Sequence, residues 1–194
     1  MAQPALILSD PREAIYQSLI ASASGERNHD AIAAIYASWR CGLGAMPDWL
    51  GLEPAAFWQM MEWHFPGHSL PPAVRGADAG APLQRSDEIE DLRTLLLGQR
   101  AGNGDDELWI SDLLITGCMA ADHLWQDLGL WNRRQLSALM ERNFPRLAAA
   151  NTKDMKWKKF LYKQLCDTVG VYTCRAPSCE RCADYHACFG PEEA

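Results

Sequence analysis

The sequence predicts an all-α fold, and three observations carry that reading. Apolar residues recur three and four positions apart through most of the chain. Clusters of Gly, Pro, Asn and Asp punctuate them, and no run alternates apolar and polar residues as a half-buried strand would. The 194 residues suit a single helical domain with a real core, followed by a C-terminal cysteine-rich loop. The helical domain is placed at residues 1–165, with a long loop at 66–85, and the cysteine-rich segment at 166–194.

The elements follow in order. Asp10 caps a first helix that Pro11 opens, and Ile15, Leu19 and Ile20 share its inner face. Residues 28–40 carry Ile32, Ile35, Tyr36 and Trp39 at helical spacing until Gly42 and Gly44 end the run. A third helix begins near Glu53–Pro54, with Phe57, Trp58, Met61 and Phe65 as its apolar set. Residues 66–85 are rich in Pro, Gly and Ala and read as a loop long enough to suggest function. Ser86 then caps a helix whose stripe is Ile89, Leu92, Leu95 and Leu96, ended by Gly102-Asn103-Gly104. One long helix is expected from about Asp106 to Leu128, carrying Trp109, Leu113, Thr116, Ala120 and His123–Leu124. Asn132 caps the next, with Gln135 three residues on and Leu136, Leu139 and Met140 facing inward. The last runs from about Asn151 to Thr168.

Composition narrows the function classes. Apolar residues make up 48% and charged residues 22%, an ordinary globular balance. The formal charge of −7 argues against sequence-independent nucleic-acid binding, which depends on neutralising phosphates. The N-terminus has no basic, then apolar, leader and no window is long enough to span a membrane, so a cytoplasmic location is expected.

Seven cysteines in a reducing compartment do not make a disulfide framework. Cys41 and Cys118 sit alone in apolar helical patterns and read as small buried hydrophobes. Four others cluster in the run Cys174-Arg-Ala-Pro-Ser-Cys179-Glu-Arg-Cys182-Ala-Asp-Tyr-His-Ala-Cys188. Thiolates packed this closely call for a soft metal or a cluster. A closed zinc site commonly uses two tight cysteine pairs, and only one C-x2-C is present. The unequal four- and five-residue spacers suit a loop wrapped around an object with several corners, and the opening C-x4-C-x2-C matches the first three ligands of plant-type iron–sulfur ferredoxins, which place their fourth cysteine far away as this chain does not; an iron–sulfur cluster ranks first and zinc second. Tyr185 and Phe189 would either shield the cluster or anchor the tail to the helical body.

The helix leading into this run carries Trp157, Phe160, Leu161 and Leu165 on one face. Lys153, Lys156, Lys158, Lys159 and Lys163 give it a local positive charge, read as a solvated face or as a landing surface for an oxyanion or an acidic partner. Cys166 flanks this helix as a packed thiol or a further ligand.

The segment Met155-Lys-Trp-Lys-Lys-Phe-Leu-Tyr-Lys-Gln-Leu-Cys166, the cysteine run and Cys188-Phe-Gly-Pro-Glu192 together resemble the NifQ family of nitrogen fixation. His123-Leu-Trp-Gln-Asp-Leu-Gly-Leu130 and Phe144-Pro-Arg-Leu-Ala are similar to it too, so the likeness spans about residues 86–192 and weakens upstream. The resemblance implies an iron–sulfur cluster that accommodates molybdenum, a [Mo–Fe3–S4]-type species ligated by Cys174, Cys179, Cys182 and Cys188. It implies molybdate as the metal source, and delivery of molybdenum to the NifEN scaffold and dinitrogenase reductase for the iron–molybdenum cofactor. A donor must also release its cargo, so one metal corner is expected to be held weakly, with His123, His186 and Cys166 as candidates.

Two other readings compete. One is a DNA-glycosylase-like helical enzyme with a [4Fe–4S] tail, for which the helix-hairpin-helix is missing and the charge is wrong. The other is a structural zinc tail on a partner-binding helical domain. Asp112, Asp122 and Asp127 read as exposed carboxylates on a helix, and no catalytic triad, phosphate loop or paired-carboxylate spacing stands out. The chain therefore reads as a metal carrier and not an enzyme.

Overall fold

A computed structural model describes residues 10–69, 71, 73–74, 85–102, 104–169, 185–189 and 192. Among these residues the structure is helical and contains no strand. The elements are α1 (Pro11–Ala21), α2 (His29–Arg40), α3 (Pro54–His64), α4 (Ser86–Gly98), α5 (Asp105–Cys118), α6 (Leu124–Leu128), α7 (Arg133–Asn143), α8 (Pro145–Ala150), α9 (Trp157–Val169) and α10 (Tyr185–Cys188).

The core is organised around α2 and α5. In α2 every residue from Ala31 to Trp39 is buried, as expected of a helix that is apolar all round and covered on all sides. Its alanines let neighbours approach closely, and α1 and α7 pack on it. In α5, Trp109, Ile110, Leu113, Leu114, Ile115 and Cys118 are buried, and α3, α4 and α6 pack against it. Helix α4 in turn bridges α5 and α9.

Polar groups fix the far end of this bundle. Asn28 and Asn143 are fully buried and exchange amide hydrogen bonds at 2.8 and 2.9 Å. Asn28 Nδ2 also donates to Asp106 Oδ2 at 2.5 Å, and Asp106 Oδ1 accepts from His64 Nε2 at 2.9 Å. Buried polar groups are costly unless satisfied, so this network dictates how the starts of α2 and α5 meet the ends of α3 and α7.

Several expectations need correction. The helix predicted from Asp106 to Leu128 is two, α5 and α6, separated by a turn over residues 119–123. Backbone N–H groups of Met119 and Ala120 bond back to Thr116 and Gly117, and α6 restarts at the extended His123. The last long helix begins at Trp157 and not near Asn151. Asn151 instead brackets Met155, accepting from its N–H and donating to its carbonyl, while Asp154 takes a left-handed φ of 52°. Arg85, not Ser86, is the N-cap of α4. Trp58 is 39% exposed, although Phe57, Met61 and Phe65 are in the core. Cys41 is only half-buried because it is the C-cap of α2, whereas Cys118 is buried. Among the described residues no helix is long and apolar enough to cross a membrane.

Candidate functional site

The start of α9 meets the segment that ends the cysteine run. Lys156 N–H donates to the Cys188 carbonyl at 2.9 Å, and Lys156 Nζ lies 3.4 Å from the His186 carbonyl oxygen. Phe189 is buried in the core, so it anchors the tail to the helical body. Beyond it the Glu192 side chain is almost wholly buried, 3.7 Å from Arg133 Nε and 3.9 Å from His123 Nδ1. Cys188 is thereby held, half-buried, against the bundle.

Beside this mooring lies a cavity of about 550 Å³. One wall is the first turn of α9 with Lys156, Lys158, Lys159 and Tyr162, and another is the 119–123 turn with Asp122 and His123. Arg85 and Cys118 line it as well, and Ala187 and Glu192 bring the C-terminal segment to its edge.

Two of the cavity cations are committed. Lys158 forms an ion pair with Asp127, buried deeply enough to leave the two side chains 17% and 3% exposed, and also donates to the Ala120 carbonyl at 2.9 Å. That bond fastens α9 to the break between α5 and α6. Arg85 Nε donates to Glu88 Oε2 at 2.7 Å, Arg85 Nη1 to the Met119 carbonyl at 3.0 Å, and Arg85 Nη2 to the Tyr162 hydroxyl at 3.2 Å. Tyr162 also donates to Glu88.

The electrostatics follow from these contacts. The hydrogen bond from Arg85 holds Glu88 below the usual carboxylate range, with Tyr162 adding to it against the effect of burial. Burial, reinforced by Glu88, pushes the Tyr162 phenol up. Burial also pushes the Cys118 thiol up to about 12 despite the nearby Lys158. Cys118 is therefore neutral and unreactive near neutral pH.

The predicted site residues fall out unevenly. Cys174, Cys179 and Cys182 lie outside the described residues, as does the side chain of Tyr185. Cys188 lies at the edge of the mooring described above. His123 lines the cavity as the N-cap of α6, His186 is exposed, and Cys166 is half-buried on α9. No group of three or more His, Cys, Asp or Glu side chains converges on a metal position among the described residues. Asp122 is exposed as expected, but Asp112 is half-buried against Arg93, and Asp127 is buried in its ion pair with Lys158. Arg85 and Arg133 carry no role in the sequence reading, and Glu192 enters it only as the end of the Cys188-Phe-Gly-Pro-Glu192 stretch, without one. The Arg85–Glu88 spacing of three residues is a helix-pair signal, whereas nothing local links Glu192 to Arg133.

Comparison with known proteins bears on the whole arrangement. The NifQ family profile matches residues 31–190, which extends the likeness well upstream of residue 86 and includes the cysteine run. The chain is 42% identical to Protein NifQ of Azotobacter vinelandii over 174 residues, covering 85% of this chain and 89% of that one. It is 35% identical to Protein NifQ of Rhodobacter capsulatus over 151 residues, 78% of this chain and 81% of that one. Against Protein NifQ of Klebsiella pneumoniae it is 33% identical over 171 residues, 82% of this chain and 97% of the other. No solved structure matches.

Proposed function

The chain belongs to the NifQ family of nitrogen fixation, and from that premise we propose that it is a carrier that binds molybdenum on an iron–sulfur centre and donates it for assembly of the nitrogenase iron–molybdenum cofactor. The supporting observation is the family match across residues 31–190 together with the four cysteines inside it. Their donor chemistry fits the group: four soft thiolates suit iron–sulfur ligation, and the backbone bond from Lys156 fixes Cys188 beside a cavity.

Cys174, Cys179, Cys182 and Cys188 would hold the centre, which supplies sulfide-bridged metal sites on which molybdenum is carried. The chain's own residues do the positioning. Phe189 and Glu192 moor the far end of the cysteine run, Lys158 and Asp127 lock the helix at its near end, and His123 stands at the cavity wall as the candidate weak ligand. The recipients are the NifEN scaffold and dinitrogenase reductase, with molybdate as the source. The role is transfer of a bound metal without catalytic turnover.

Anaerobic purification from cells supplied with molybdate, followed by iron and molybdenum analysis and EPR, tests this. Both metals should be present in the native protein and lost in Cys→Ser variants at the four positions. Well-folded, anaerobically prepared protein lacking both metals, or holding zinc instead, would overturn the reading.

A further inference from the structure

We propose that the cavity beside α9 is a docking site for a tetrahedral oxyanion, held by Lys156 and Lys159; on the carrier reading above, on which this rests, that oxyanion is molybdate. Three features of the site argue for an anion.

The first is the supply of cations. Lys156, Lys158 and Lys159 line the cavity from a single helical turn, with Arg85 opposite. Asp127 already neutralises Lys158, and Glu88 neutralises Arg85. Lys156 is half-buried and among the described residues its ammonium makes one long contact, with the His186 carbonyl, while Lys159 is exposed. Among the described residues no carboxylate lies within ion-pair distance of either ammonium, although Asp122 and Glu192 also line the cavity, with Glu192 sharing Arg133 with Asp154.

The second is the sign of the helix end. The positive end of a helix dipole favours acidic residues and disfavours cations. Helices α4 and α5 obey that rule, with Asp87 and Glu88 in one first turn and Asp105, Asp106 and Glu107 in the other. Helix α9 holds no acidic residue in its first turn and opens Lys156-Trp157-Lys158-Lys159; α7 likewise opens on Arg133-Arg134 without one, but the first turn of α9 lines a cavity. Stacking lysines on the positive end of a helix is unfavourable in an empty site, and an anion placed there relieves both repulsions at once.

The third is shape. The cavity is a half-open cleft of about 550 Å³, a size that suits a small solvated anion better than the face of an acidic polypeptide. Its lining includes the neutral Cys118 thiol, which adds no negative charge against the ligand. The segment ending at Cys188 forms the edge, so an ion held by the lysines would wait next to the cysteine run.

The test is equilibrium dialysis of the full-length chain against molybdate, with sulfate and phosphate as competitors of the same shape. Molybdate should bind, and Lys156→Gln/Lys159→Gln should weaken it about tenfold or more, since two charge-assisted contacts are lost. Lys156→Arg/Lys159→Arg should restore binding, which separates loss of charge from loss of fold. Lys153→Gln/Lys163→Gln, which removes equal charge outside the cavity, should change affinity less than about twofold. Sulfate and phosphate in excess should compete for the same site. The proposal is overturned if the native chain binds no molybdate, if the cavity pair and the control pair weaken it equally, or if an acidic peptide is bound in its place. The chain with all four cysteines of the run replaced by serine should still bind molybdate through the lysines. If native protein binds molybdate in a lysine-dependent way yet never acquires iron, the carrier reading fails and this site stands.

Discussion

Breaking the Asp127–Lys158 pair should destabilise the protein far more than an exposed carboxylate would predict. Both side chains are largely removed from water, at 3% and 17% exposure, and Lys158 bridges onward to the Ala120 carbonyl. Removing one partner of a buried pair costs about 3–5 kcal/mol, because the other charge is left unpaired. In Asp127→Asn the orphaned ammonium keeps one carbonyl acceptor and some access to solvent, so the lower end applies, about 3 kcal/mol. Lys158→Met leaves the more deeply buried carboxylate alone and should cost about 4 kcal/mol. For a chain of this length about 3 kcal/mol corresponds to a fall of roughly 6–12 °C in Tm. The double variant Asp127→Asn/Lys158→Met replaces both charges and should cost about 1–2 kcal/mol, well short of the sum of the singles. Urea unfolding followed by tryptophan fluorescence would give all three values. If Asp127→Asn cost less than about 1 kcal/mol, or the double variant equalled the sum of the singles, the pair would not be the fastening described here.

Two further predictions concern different parts of the bundle. Glu88 is held below the usual carboxylate range mainly by Arg85, so its contribution to stability is complete above the unfolded carboxylate pKa of about 4.3 and is lost as pH falls through the lower folded value. Glu88→Gln should therefore be less stable than the native chain at pH 7 and converge with it in acid, and urea midpoints measured from pH 7 down to pH 3 would show whether that gap closes. Gly129 has φ 76° and an added Cβ would stand 2.5 Å from Ser38 Cβ on α2, whereas Gly42, also at φ 76°, has nothing within 4 Å. Gly129→Ala should cost about 3 kcal/mol or more and Gly42→Ala only about 1–2 kcal/mol, so equal losses in thermal melts would contradict the close approach of Gly129 to Ser38.

Periodicity in the sequence located most helices because their buried faces are continuous. The stripes Leu92–Leu96, Leu136–Leu139–Met140 and Trp157–Phe160–Leu161 are all buried. Where boundaries were misread, the deciding contact was one that periodicity does not register. The α5–α6 break carries no Gly or Pro to mark it, its residues 119–123 being Met-Ala-Ala-Asp-His, and its Ala120 carbonyl is taken by a lysine 38 positions away. The late start of α9 depends on two side-chain bonds made by Asn151. Asp127 looked exposed because its partner, Lys158, belongs to a later helix. The cysteine run was legible because its chemistry is local. The cavity was not, because its walls come from residues as far apart as Arg85 and Glu192 and exist only once α4, α5 and α9 are packed.

The mooring of Cys188 bears on how readily four thiolates can be gathered. In the chain the cysteine run begins five residues after Val169, the end of α9, and ends at Cys188, the last residue of α10, which is tied back to the start of α9. No cysteine of the run is more than six residues from α9 or α10. At the covalent limit of chain extension that confines each sulfur to within roughly 20 Å of the folded body. Much of the closure entropy that a free tail would lose on gathering its ligands has thus already been spent in folding. On the carrier reading proposed above, the thiolates would meet a metal as near neighbours at high effective concentration, so such a centre would be filled and emptied while the bundle that presents it stays folded.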